Sequence, residues 1–292
     1  MGGLLRIVFS IIPCCTVLCK KGGQLAFAVA GVYNEADFGP VRAKEEGKMD
    51  LMNLALIVPV SLCGSYIQNV TGFGYGIFVM IFFPLLLQYT EANILSAMLG
   101  GFSSLAIVLQ MRHKIHWKSL IFPLVGSVVA TYLAVNFIKG KGNDTLTLLL
   151  GVVLFVLSMY FFFFSGKVRF RPTWYAGLLA GVLSGVMSGM FSMGGPPMVI
   201  YFLQSEDDSD TYLATISAYF VCSTIVSVTY KVMAGFLTVN ACYAFVAGAI
   251  GLAGGVLLGK RTRSKVRPDM VRKLVYGFMA LSGLLYIVTA LA

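Results

Sequence analysis

The sequence predicts an all-α integral membrane protein built as two inverted repeats, each a glycine-broken helical hairpin plus three transmembrane helices. Three observations predict it: an apolar excess that no water-soluble core of this length absorbs, two series of apolar segments in one order, and basic loops that share a side only if the repeats are inverted. Of 292 residues, 58% are hydrophobic and 12% charged, with a mean hydropathy of +0.85, so the surrounding solvent is lipid. A hydrocarbon core of about 30 Å takes about 20 apolar residues per helical crossing, which leaves room for roughly eight to ten segments.

Residues 1–48 form an N-terminal extension unlike the rest of the chain. Leu4 to Leu18 is apolar but broken by Pro13; Lys20 and Lys21 come next, then a short apolar run from Leu25 to Val32 and a polar stretch to Lys48. Two readings stand: a leader-like segment with Ala28 and Ala30 as an Ala-x-Ala site, or a native chain that begins at Met49. The first membrane repeat, 49–168, holds apolar runs at 51–70, 76–88, 92–111, 119–138 and 145–165. The second, 169–292, holds runs at 173–188, 196–203, 211–233, 237–259 and 270–291. Each series opens on a stretch broken by a glycine cluster, Asn69 to Gly76 in one and Ser188 to Pro197 in the other. Gly64 and Gly72 have the same spacing as Gly181 and Gly189; Gly126 answers Gly248 and Tyr160 answers Tyr286.

Charge sets the orientation. The basic loops are Arg112, Lys114 and Lys118; Lys167, Arg169 and Arg171; and Lys260, Arg261, Arg263, Lys265 and Arg267. The positive-inside bias puts all three in the cytoplasm of a multi-pass protein of the bacterial inner membrane. If each glycine-broken stretch crossed once, the last of these loops would fall outside. If each enters and returns on one side, or crosses twice, every repeat has an odd number of crossings and all three loops fall inside. Pro196 to Leu203 is too short to cross, which favours re-entry there; in the first repeat a re-entrant hairpin and a full pair both remain open. The loops near Glu91, Asn143 and Gly235 then face outside.

Irregular backbone at membrane depth is tolerated only beside protein or a water-filled cavity, and glycine breaks in matching positions of two halves point to a substrate site. The candidate substrate-binding residues are therefore Gln68, Asn69, Thr71, Gly72, Gly74 and Gly76 in the first cluster and Ser188, Ser192, Gly194 and Gly195 in the second. Pro196 and Pro197 suit the first turn of a returning helix, whose free amides could hold an anion. The C-terminus of the opposite arm could equally hold a cation. Gly181, Gly185 and Gly189, like Gly251, Gly255 and Gly259, follow a four-residue spacing that reads as close helix packing; Gly74, Gly76, Gly194 and Gly195 fall outside it and read as loop glycines.

Other residue types exclude other functions. From Leu51 onward every carboxylate, Glu91, Asp144, Glu206, Asp207, Asp208, Asp210 and Asp269, lies at a segment end or in a loop, so a carboxylate proton relay is unsupported. Lys231 reads as snorkelling or packing; Asn136 and Asn240 are further polar candidates, and the run Phe161 to Phe164 reads as lipid-facing or interfacial. His113 and His116 lack ligand partners, and the six cysteines have no metal-ligand spacing, so no metal site and no cofactor are expected. The net charge of +10 lies in short clusters between apolar runs, which fits lipid rather than nucleic acid. No catalytic set is visible, so an enzyme is not expected. A passive anion channel is the alternative to a coupled carrier.

The stretch TGFGYG with its apolar run to Pro84, and the later GLLAGVLSGVMSGMFSMGGPPMVIYFL, resemble the two signature segments of the sulfite exporter TauE/SafE family, also called the toluene sulfonate uptake permease family. The resemblance runs over about 51–292. It implies a permease or exporter for sulfite, sulfonates or related small organic anions, with a small anionic substrate and the lipid bilayer as its partners.

Overall fold

The computed structural model describes residues 51–164, 173–206, 208–262 and 268–291. The 1–48 extension and the basic residues Lys167, Arg169, Arg171, Arg263, Lys265 and Arg267 lie outside the described residues. Among those described are ten α-helices and no strand: α1 (Leu51–Thr71), α2 (Tyr75–Leu86), α3 (Tyr89–Met111), α4 (Trp117–Ile138), α5 (Asn143–Phe164), α6 (Trp174–Phe191), α7 (Gly195–Ser205), α8 (Ser209–Met233), α9 (Val239–Thr262) and α10 (Pro268–Leu291). A 3-10 turn, Arg112–Lys114, joins α3 to α4. Among the described residues, seven helices are long and apolar enough to cross a membrane. The 12 residues of α2 and 11 of α7 are not; at 1.5 Å per residue they reach about 18 and 16 Å, against a hydrocarbon core of about 30 Å. Both return arms are thus shorter than a single crossing needs.

Four helix pairs build the body: α4 with α6, α1 with α9, α5 with α10 and α3 with α8. The first two are set by the glycine ladders. A Cβ on Gly181, Gly185 or Gly189 would stand 2.1 Å from Pro123 O, 2.6 Å from Ser127 O or 2.7 Å from Ala134 Cβ. On α9, a Cβ on Gly251, Gly255 or Gly259 would stand 2.1 Å from Val58 O, 2.0 Å from Ser65 Oγ or 2.6 Å from Asn69 Cβ. Hydrogen brings the backbones this close, and in lipid dispersion contact of this kind replaces the hydrophobic effect as the source of association. In the third pair Phe161 corrects an expectation. It is buried and stacked on Tyr276 at 4.7 Å, because α10 covers that face of α5, while Phe162 is exposed; the side chains of Phe163 and Phe164 lie outside the described residues.

Contacts fix helix directions. Ser61 donates to Gly248 O and Ser65 to Leu252 O, so α1 and α9 run parallel, as do α4 and α6 along their glycine ladder. In contrast, Gly151 meets Gly283 and Tyr286 while Ser158 donates to Tyr276 O, so α5 and α10 run antiparallel. Likewise His116, just past α3, donates its N–H to Thr215 near the start of α8, while Gly101 meets Thr224 farther along. Exchanging α1–α5 with α6–α10 maps the pair α1·α9 onto α6·α4 and each of the other two pairs onto itself.

The connections gather at two ends. At one, Lys114 pairs with Asp210 at 2.7 Å and His116 Nδ1 with the buried Glu206 carboxylate at 2.6 Å, joining the α3–α4 and α7–α8 connections. At the other, the Tyr89 N–H donates to Asn143 Oδ1 at 2.7 Å and the Thr238 hydroxyl to the Glu91 carboxylate. Between the ends, Ile121, Val125, Val129 and Leu133 on α4 and Leu274, Leu281 and Leu285 on α10 are exposed, an apolar surface suited to lipid.

Candidate functional site

The two glycine breaks meet. After α1 the chain passes through Gly72 (φ 86) and Gly74 (φ 100) into α2; after α6 it passes through Ser192 (φ 55) and Gly194 into α7. Gly72 and Ser192 are thus the equivalent left-handed residues that end the two first arms, so the equal spacing of Gly64–Gly72 and Gly181–Gly189 does not align the breaks. Pro196 and Pro197 occupy the first turn of α7, where a missing N–H costs nothing. Gly76 and Gly195 correct their reading as loop glycines: both lie in helical first turns. They are small because the tips touch there. A Cβ on Gly76 would stand 2.0 Å from Ser192 O, and one on Gly195 3.3 Å from the Phe73 ring.

The tips overlap rather than meet end to end. Gly72 abuts Leu213 in the second turn of α8, and Ser192 shares its hydroxyl hydrogen between Asn93 O (2.7 Å) and Asn93 Oδ1 (2.9 Å) in the second turn of α3. Since α3 and α8 start at opposite ends, each tip reaches past the other.

Between them lies a cavity that leaves the centre of a water-sized sphere ≈ 60 Å³ to move in. One water needs roughly 10–15 Å³ by that measure, so the space admits a few waters or one small oxyanion. Of the residues singled out from sequence, Gln68, Gly74, Gly76, Ser188, Ser192, Gly194 and Gly195 line it. Asn69, Thr71 and Gly72 do not. Asn69 donates to Ser65 O at 2.8 Å, Thr71 holds the turn through Ile67 O (2.9 Å) and Phe73 O (2.7 Å), and Gly72 faces α8.

Sequence reasoning missed the side walls. Ser96, Gly100 and Ser104 line the cavity from α3, and Phe220, Ser223 and Thr224 from α8; small and hydroxylic residues four apart on a long apolar helix are the signal that could have found the first set. Gln68 donates to Ser104 Oγ at 2.6 Å, which leaves its buried Oε1 without a hydrogen-bond partner; buried Ser96 Oγ also has none. Such groups are open to a ligand or water.

Lys231 is the larger omission. It does not snorkel: it is fully buried, and its ammonium donates to Ser192 Oγ at 2.7 Å and Ser188 O at 3.0 Å. At the same α6 C-terminus, Met190 O accepts from the Tyr89 hydroxyl at 2.6 Å and from the Asn93 amide. An ionisable residue inside an apolar segment is the signal that points to it. No group of three or more potential metal ligands occurs among the described residues.

The family model described as Sulfite exporter TauE/SafE matches residues 56–286, every cavity residue included. The chain belongs to the sulfite exporter TauE/SafE family. As a TauE/SafE protein with seven candidate spans it is a multi-pass membrane transporter and not an enzyme. A TauE/SafE relative, the probable sulfite/organosulfonate exporter TauE of Cupriavidus necator, is 24% identical over 222 residues, which cover 74% of this chain and 86% of that protein. No solved structure matches the chain.

Proposed function

We propose that this protein is a secondary transporter that carries sulfite, an organosulfonate or a related small organic anion across the bacterial inner membrane, with the anion held where the hairpin tips cross. The observation that carries this reading is the cavity walled by both tips. On its α2 side the first-turn N–H groups of Tyr75, Gly76 and Ile77 have no carbonyl one turn earlier within the helix, and they carry the positive end of its dipole. Of the C-terminal carbonyls of α6, which could have held a cation, Ser188 O already accepts from Lys231 and Met190 O from Asn93 and Tyr89. An anion is therefore the better match. The name of the Cupriavidus necator relative supports sulfite or organosulfonates as the class.

The repeats are 49–168 and 169–292, and they are inverted. The antiparallel self-paired helices α3·α8 and α5·α10 support this, since a two-fold axis in the membrane plane reverses each helix onto its equivalent. Alternating access then follows from rocking one hairpin against the other about the crossing. The test is transport by purified protein in proteoliposomes loaded with sulfite, methanesulfonate or a carboxylate. Accumulation against the substrate gradient, driven by an imposed ion gradient, is expected; flux that only ever dissipates the gradient identifies a passive channel instead.

A further inference from the structure

The walls of the cavity are hydroxyls, one amide, backbone and apolar groups, with no charged side chain among them. An anion entering so buried a space loses its hydration and needs a counter-charge. Among the described residues Lys231 is the one buried lysine or arginine, and both of its hydrogen-bond partners, Ser188 and Ser192, line the cavity. Capping α6 does not require that charge, because neutral Tyr89 and Asn93 do the same for Met190 O two residues on.

Two more features converge there. Ser192 holds a left-handed conformation (φ 55) where the other tip has glycine, a strained choice for a residue with a β-carbon. It keeps its hydroxyl between Lys231 and Asn93. On the α7 side, Pro196 and Pro197 remove two first-turn N–H donors that the α2 side retains, so the second tip lacks the amides that serve the first.

We propose that Lys231 is the counter-charge of the transported anion, presented to the cavity through Ser192, and that the site therefore takes its ligand as a monoanion. This rests on the reading of the cavity as the anion site. One ammonium and no carboxylate at the wall balance a single negative charge; a dianion leaves one charge uncompensated. The long lysine stem lets the ammonium shift from Ser188 O toward a bound ligand with two or three donors in play.

Calorimetric titration of purified wild type, Lys231→Met, Lys231→Arg and Gly76→Val with methanesulfonate, neutral methanesulfonamide and sulfate tests it. Wild type is expected to bind methanesulfonate at least about tenfold more tightly than sulfate or methanesulfonamide. Lys231→Met is expected to lose methanesulfonate about tenfold or more, while Lys231→Arg stays within about threefold of wild type. If Lys231→Met, folded by gel filtration, binds as wild type does, or if both lysine variants lose binding alike, Lys231 is only a cap for α6. Where a lysine variant fails to fold, the wild type still decides: sulfate or methanesulfonamide bound as tightly as methanesulfonate overturns the proposal. If wild type binds none of the three, or Gly76→Val binds methanesulfonate normally, the anion-site reading fails first and this inference falls with it.

Discussion

Gly76 and Ser192 touch backbone to backbone: a Cβ on Gly76 would stand 2.0 Å from the Ser192 carbonyl oxygen. The obstacle is main chain, so no rotamer change relieves it. Gly76→Val therefore forces the tips apart at the cavity while leaving the long helix interfaces untouched. Normal membrane insertion and gel-filtration behaviour are expected, with transport in proteoliposomes abolished and the stabilisation of wild type by sulfite in a thermal-shift assay lost. A folded Gly76→Val protein that transports at the wild-type rate would place the site elsewhere.

Gly255 answers a different question. A side chain there meets Ser65 Oγ at 2.0 Å and Leu62 O at 2.2 Å, in the middle of the α1–α9 interface and away from the cavity. Gly255→Leu is expected to reduce stability by about 1–3 kcal/mol or more, as overpacking does, and to lower the yield of monodisperse protein. Gly277 on α10 is its control, because nothing lies within 4 Å of the Cβ position. Gly277→Leu should unfold within a few degrees of wild type, and equal damage from both substitutions would contradict the packing role assigned to the α9 ladder.

Helix limits are mostly legible because the apolar runs end within a few residues of glycine, proline or charge: a run read at 237–259 folds as Val239–Thr262. The packing ladders are legible too, since a four-residue glycine spacing has one common use in lipid. The side walls are legible only in part: Ser96, Gly100 and Ser104 recur every fourth residue on α3, but that spacing does not give their direction. Ser104 donates to its own helix at Gly100 O, and a hydroxyl that satisfies itself this way has no sequence pattern to say which surface it faces. Lys231 stands near the end of α8, where snorkelling is the default; that the α6 tip reaches over to bury it is a consequence of tertiary packing between helices distant in sequence. The same holds for Ser192, because neighbouring Met193 and Gly194 offer no signal that serine, rather than glycine, takes the left-handed position.

Ser192 separates backbone strain from hydroxyl chemistry. Ser192→Ala keeps a β-carbon at φ 55, whereas Ser192→Gly removes it; both lose the bonds to Asn93 and Lys231. The glycine variant should be more stable than the alanine variant by about 1 kcal/mol, the usual cost of left-handed backbone in a residue with a β-carbon. Both should weaken anion binding by at least about 1 kcal/mol, the net worth of one hydrogen bond. Paired thermal-shift and calorimetric measurements read the two effects apart. Wild-type affinity in either variant would show that the hydroxyl serves only the fold.

The last prediction concerns which face is which. Contacts place the 112–116 connection with Glu206 and Asp210 at one end, and Glu91, Asn143 and Thr238 at the other. Helix α3 joins the two ends with 23 residues, about 34 Å of helix, enough to cross the hydrocarbon. The first end holds Arg112, Lys114 and Lys118, with Lys260 and Arg261 at the end of α9; the second holds only Lys139 and Lys141 beside Asp144 among the described residues, so the positive-inside bias makes the first cytoplasmic. His113 and Gly235 are exposed and stand one at each end. In a protein with its six native cysteines replaced, Gly235→Cys should react with an impermeant maleimide on intact cells, and His113→Cys only after permeabilisation. The reverse pattern would keep the fold but invert its sidedness. Reaction of both from outside without permeabilisation would mean that α3 does not cross, and the inverted-repeat architecture would fall with it.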